Sequence, residues 1–176
     1  MALPSAQEKL IKQNISAKFD SSAYDETEPT YSYDTAIDRY KLALVNTIVK
    51  KGKMGERAYC CLKTAWVIRG KMESLSPEMS GYELIKAECE KEELTFLKNA
   101  LEGFLKAIMT ETFPICGLDE GTVYYVIVIL AMRFKKYELA SKTLSNLLTS
   151  KTVTRRIKDK ALDLKEELIA EVKANR

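Results

Sequence analysis

The sequence predicts an all-α fold, in which antiparallel helical hairpins stack as a short solenoid closed by a C-terminal capping helix. Three observations carry that expectation. From Asp34 onward, apolar residues recur at steps of three and four in successive blocks, each long enough for several helical turns. The stretch Phe134-Lys135-Lys136-Tyr137-Glu138-Leu139-Ala140 ends one apolar run and opens another after almost no loop, the signature of a helical hairpin. The composition, 46% apolar and 30% charged with seven glycines and four prolines in 176 residues, is that of a helical globular protein. A chain of this length buries roughly 70% of the surface its extended form exposes.

The elements follow in order. Ser5 and Glu8 have capping-box spacing, which predicts a helix to about Phe19. From Phe19 to Tyr33 no period is present, and tyrosines alternate with Asp20, Asp25, Glu26 and Glu28. Residues 1–33 therefore read as an N-terminal helix and an acidic Tyr-containing linker, and 34–176 as the helical domain. The helix from Asp34 carries Ile37, Tyr40, Leu44 and Ile48 on one stripe and Leu42, Val45 and Val49 on another, which predicts two neighbours. Gly52 and Gly55 are expected to break the chain. The next helix, Glu56 to about Met72, places Ala58, Cys61, Leu62, Ala65, Ile68 and Met72 on one face, with Tyr59 and Trp66 on another, so Trp66 is expected to be largely buried. Glu73 to Pro77 reads as a turn, and Ser80 can cap a long helix to about Thr110. Along it Leu94, Leu97, Leu101, Leu105 and Ile108 form one stripe, and Phe96, Ala100, Phe104 and Ala107 a second. Pro114 and Gly117 end this helix, and Asp119 caps the next, Thr122 to Phe134, which is apolar nearly all round and belongs at the centre of the stack. A helix from Tyr137 to about Leu148 precedes a last one from Thr154 to about Lys173. Its single stripe, Ile157, Ala161, Leu164, Leu168 and Val172, suits an end cap.

Tyr137, Ala140 and Leu144 stand where the second helix of a tetratricopeptide repeat has an aromatic, a small and a large apolar residue, and Ala100, Phe104 and Ala107 echo that pattern upstream. The piece between Gly70 and Leu94 exceeds the repeat length, so the array reads as degenerate. Four blocks, Ala36-Ile37-Asp38-Arg39-Tyr40-Lys41-Leu42-Ala43, Ala65-Trp66-Val67-Ile68-Arg69, Phe113-Pro114-Ile115-Cys116-Gly117-Leu118-Asp119-Glu120 and Arg156-Ile157-Lys158-Asp159-Lys160-Ala161, stand in order within a region of about Tyr33 to Val172. In these blocks the chain resembles a family of uncharacterised bacterial proteins, a domain of unknown function with a tetratricopeptide-like (TPR-like) helical array. The resemblance implies that fold and a bacterial origin, and no activity. Members of that family commonly begin with a cysteine-paired, zinc-ribbon-like segment. The first cysteine here is Cys60, so that segment is expected to be absent and no metal function is carried over.

Composition also bounds function. The longest apolar run, Thr122 to Met132, has eleven residues, too few to span a bilayer. No secretory signal pattern opens the chain, so the expected compartment is the cytoplasm. Cys60 and Cys61 are adjacent, Cys89 and Cys116 isolated, and none has the spacing of a zinc site or a redox dithiol. With no histidine in the chain, histidine-dependent nucleophile triads are excluded, and an enzyme is not expected. Cys116 near a helix N-terminus lacks a base, and Asp119 with Glu120 is accounted for by capping. No cofactor and no metal is expected.

Stacked hairpins build a concave surface suited to partners, so the expected function is a protein- or peptide-binding helical-repeat scaffold, with the partner's identity unwritten and a homo-oligomer left open. The expected contacts interrupt the apolar stripes between Glu56 and Leu148, namely Tyr59, Lys63, Arg69, Tyr125 and Arg133. Each has a competing reading as a packed or solvated residue. Arg69 and Arg133, for instance, end helices where the dipole favours cations. Tyr24, Tyr31, Tyr33 and Tyr40 similarly divide between a recognition surface and staples for the linker. A basic run, Lys151, Arg155, Arg156, Lys158 and Lys160, opens the last helix, where each cation costs roughly 0.3 to 1 kcal/mol unless something negative offsets it. Thr154, Arg155 and Arg156 therefore form an alternative site for an anion, which would make the chain a ligand-sensing or nucleic-acid-binding module. A solvated turn, or pairing with the acidic early segment, competes with that reading. The nearly balanced charge, +3, disfavours nucleic acid.

Overall fold

A computed structural model describes residues 31–175. The helix expected over Ser5–Phe19 and most of the acidic linker lie outside the described residues. Within them the chain is all-helical, with α1 (Tyr31–Val49), α2 (Met54–Ser74), α3 (Tyr82–Thr110), α4 (Glu120–Arg133), α5 (Tyr137–Thr149) and α6 (Arg155–Ala174). It divides into two compact units, one up to Ala100 and one from Leu101 onward, with the boundary inside α3.

In the first unit α1 lies along α2. Ala36, Ile37 and Tyr40 of α1 meet Val67, Ile68 and Met72 of α2 and Cys89 of α3 in one apolar cluster, with Tyr33, Trp66, Ile85 and Phe96 partly buried against it. Trp66 is thus only half enclosed, less than its place between two apolar stripes suggests. The second stripe of α1 also departs from expectation: Leu42, Val45 and Val49 are 61%, 53% and 73% exposed, so no neighbour among the described residues covers them. Gly55 does not break the chain, since it is buried inside α2. Gly70 also sits within α2, where a Cβ would come 2.8 Å from the ring of Tyr33, so the α1–α2 approach depends on its missing side chain.

The break between α1 and α2 is built by backbone hydrogen bonds. Gly52 N–H donates to the Thr47 carbonyl at 2.7 Å and Lys51 N–H to the Ile48 carbonyl at 3.1 Å, with Lys51 left-handed at φ 53°. This is a Schellman motif, and it satisfies carbonyls that the helix end would otherwise orphan. The same device recurs in the second unit. Lys136 N–H donates to the Ala131 carbonyl at 2.8 Å and Lys135 N–H to the Met132 carbonyl at 3.0 Å, with Lys135 at φ 57°. Both hairpins therefore turn through a left-handed lysine.

The second unit is built around α4, buried from Tyr125 through Met132 and packed against α5 and α6, as its all-round apolar sequence predicts. On α3, Ala100, Phe104 and Ala107 are fully buried while Leu94 is 40% exposed, so the second of the two expected stripes is the deeper one. α6 buries only the stripe of Ala161, Leu164 and Leu168, the one-sided pattern its sequence shows. Between α3 and α4, Ile115 and Leu118 exchange backbone hydrogen bonds at 2.9 Å around Cys116 and Gly117, both left-handed. That tight turn delivers Asp119 to the start of α4. No helix among the described residues is long and apolar enough to cross a membrane.

Candidate functional site

The first turns of α4 and α6 and the segment at Phe113–Pro114 enclose a cleft of about 360 Å³ in the second unit. Phe113, Pro114, Val153 and Ile157 supply apolar walls, and Asp119, Glu120, Thr152 and Thr154 supply polar ones. The polar groups are already engaged in structural bonds. Asp119 Oδ1 accepts the Thr122 N–H at 2.8 Å and caps α4. Thr152 Oγ1 donates to Glu120 Oε2 at 2.6 Å, which ties the strand of chain before α6 to the first turn of α4. Thr154 Oγ1 caps α6 by accepting the Ile157 N–H at 3.5 Å, the long end of the range. Gly121 makes the junction possible, because a Cβ there would sit 3.0 Å from Val153 Cγ1 and 3.1 Å from Ile157 Cδ1. Phe113 closes one side edge-on to Tyr124, their ring centroids 5.9 Å apart. Burial, helped by the charge of Glu120, pushes the Tyr124 phenol above its usual value.

Of the residues expected to bind an anion, Thr154 lines this cleft and is used as a helix cap. Arg155 and Arg156 are exposed and do not line it, and no acid among the described residues pairs with either. The acidic segment contributes elsewhere: Asp34 Oδ1 meets Lys71 Nζ at 2.7 Å. Asp20 to Glu28 fall outside the described residues.

The expected partner contacts fall in both units. In the first, Lys63 is 8% exposed, with its ammonium 4.5 Å from the centroid of Tyr59 and 5.7 Å from that of Tyr40. A buried cation held over two aromatic faces is a packing solution before it is a binding surface. Arg69 clasps Glu93 from the next helix, Nε to Oε2 at 2.7 Å and Nη2 to Oε1 at 2.8 Å, and the Glu93 side chain is only 2% exposed. In the second unit, Tyr125 is buried, and burial raises its phenol, with Glu167 and Asp163 adding to the effect. Arg133 is half-buried at the end of α4.

Sequence reasoning missed Glu93 and the cleft. Glu93 belongs to the polar run Glu88-Cys89-Glu90-Lys91-Glu92-Glu93, which reads as a solvated face, and only its three-dimensional opposition to Arg69 marks it. Gly121 directly after the capping pair Asp119-Glu120 was the available hint of a close approach.

Thiol chemistry is muted. Burial, aided by Cys60, lifts Cys61 to about 11, and burial also raises Cys89. All four cysteines are free, and no group of metal-ligating side chains occurs among the described residues.

No curated protein and no solved structure matches the chain. Residues 1–168 do match the family described as "Uncharacterized protein conserved in bacteria (DUF2225)", and a match over almost the whole chain places the protein in that bacterial family.

Proposed function

We propose that this protein is a non-enzymatic, TPR-like helical array of the bacterial cytoplasm that binds a protein or peptide. The observation that carries the proposal is the cleft between the first turns of α4 and α6. It has apolar walls, room for one or two side chains, and polar groups that already serve as helix caps and ties. We read the pairing of the Thr152 hydroxyl with the Glu120 carboxylate as a tie between the start of α4 and the chain before α6, not as an activated nucleophile. Helices adjacent in sequence pack on each other in the pairs α1–α2, α4–α5 and α5–α6, which supports a repeat array. Asp119 and Glu120 on the cleft wall weigh against an anion as its ligand.

The test is a peptide array probed with the purified protein, followed by titration of the peptides retained. Ile157→Glu introduces a charge into the cleft wall at a half-buried position and is expected to weaken binding at least tenfold while circular dichroism stays helical. Binding through apolar walls should change little between low and high salt, whereas a phosphate site would weaken steeply. Retained affinity in Ile157→Glu removes the cleft from the proposal.

A further inference from the structure

The second apolar stripe of α1 is uncovered. Leu42, Val45, Ile48 and Val49 are 61%, 53%, 49% and 73% exposed, a run of aliphatic side chains along nearly two turns. Scattered exposed leucines are ordinary, but a contiguous patch of a few hundred Å² marks an interaction surface. Its spacing is informative: Asp38, Leu42, Val45 and Val49 follow one another at steps of four, three and four, the seam of a two-helix coiled coil.

We propose that this stripe is the contact between two copies of the chain, paired antiparallel through α1 with Val45 at the two-fold axis. An isologous contact requires a patch complementary to itself, and an aliphatic stripe meets that condition in either direction. Charge selects the antiparallel sense. The stripe's N-terminal end carries exposed Asp38, and its C-terminal end is followed by exposed Lys50, Lys51 and Lys53; none of these four is in an ion pair among the described residues. Asp38 lies seven residues before Val45, about 10 Å along the helix axis, and the lysines begin just past the helix end at Val49, four residues after Val45. Antiparallel pairing about Val45 therefore brings each Asp38 to the partner's lysines at both ends, whereas parallel pairing stacks acid on acid and lysine on lysine. Two such patches bury on the order of 800 Å², below the roughly 1,200 Å² at which stable specific interfaces begin, so the dimer is a weak, transient one that forms with rising concentration. This interface is independent of the cleft in the second unit.

Sedimentation equilibrium of the full chain is expected to give a mass rising from 20.0 kDa toward twice that value as concentration increases through the micromolar to millimolar range. Leu42→Asp with Val45→Asp, both at exposed positions, should hold the mass at the monomer while helicity is unchanged. Asp38→Lys should weaken association, and adding Lys51→Asp to it should restore it. Val45→Cys under mild oxidation should yield a covalent dimer beyond that of the wild type, whose exposed Cys116 sets the background, because a residue on the two-fold meets its own copy. A mass fixed at the monomer overturns the proposal, including the case in which slow amide exchange across α1 shows the stripe covered by the chain's own residues. A dimer that survives Leu42→Asp with Val45→Asp overturns it equally.

Discussion

At the scale of single residues, the buried carboxylate of Glu93 and the half-enclosed indole of Trp66 pose opposite problems. Glu93 is 2% exposed and clasped in bidentate fashion by Arg69, whose own side chain is a third exposed. Such a pair contributes little net stability, yet removing one member leaves a charge in a poorly solvating site. Arg69→Met is expected to destabilise the chain by about 3 kcal/mol, the low end for such pairs because water still reaches the arginine. Adding Glu93→Leu should recover most of the loss, and urea melts of the single and double variants decide the matter. Trp66 presents a different case. Its Nε1 is enclosed without a hydrogen-bond partner among the described residues, so the indole gains packing while leaving a donor unsatisfied. Trp66→Ala should cost about 3 kcal/mol, but Trp66→Phe should stay within about 1 kcal/mol of the wild type, since the lost area is offset by removal of the orphan donor. A Phe variant as damaged as the Ala variant would show that the donor is satisfied in solution.

At the scale of elements, the helices and several of their ends were legible, Asp119 as the cap of α4 among them, and the geometry of the turns was not. Periods of three and four identify α1 to α6 within a few residues because burial of one face writes itself into composition. The turns hide because their geometry resides in the backbone. Gly52 and Gly55 look like the break after α1, but the left-handed residue is Lys51 and Gly55 is helical. At Lys135 the same strain recurs with no glycine to advertise it. A left-handed non-glycine residue is disfavoured by roughly 1 to 2 kcal/mol, and that penalty is what Lys135→Gly would relieve, less the entropy that glycine adds to the unfolded chain. The expected gain is about 0.5 kcal/mol in each hairpin, seen as a higher denaturant midpoint for Lys135→Gly and for Lys51→Gly. The opposite holds at Gly121, where glycine is needed for space. Gly121→Ala gains helix propensity but drives a methyl against the buried Val153, so a net loss of about 1 kcal/mol is expected. An unchanged or higher midpoint would mean that the first turn of α6 gives way.

At the scale of the whole molecule, the sequence pattern identified the all-helical class but not the division into two units, because the boundary falls inside the uninterrupted pattern of α3, where no loop or change in composition signals it. Nor could it place the cleft, whose walls come from segments up to 44 residues apart, Phe113 and Ile157. Both units nonetheless share a property that burial imposes: a set of groups that stay protonated at higher pH folded than unfolded. In the first unit, burial raises the Cys61 thiol from 9.0 to about 11 and raises the Tyr40 phenol, with Tyr59 and Cys60 adding to it. For Lys71, burial alone would lower the value, but the hydrogen bond and charge of Asp34 outweigh it and the net shift is upward. In the second unit, Tyr124 and Tyr125 are raised in the same sense. A folded state that retains protons which the unfolded chain releases is fully stabilised by them below the unfolded values, and that contribution is lost as pH rises through the folded ones. Stability should therefore hold from neutrality to about pH 8 and then fall, beginning near 9, where unfolded thiols titrate. Urea midpoints measured from pH 7 to 11 test this, with Cys61→Ala as the diagnostic variant. If the Cys61 thiol drives the onset, the variant should lose less stability than the wild type between pH 9 and 11, and parallel curves would assign the alkaline loss to Cys89, the tyrosines and Lys71.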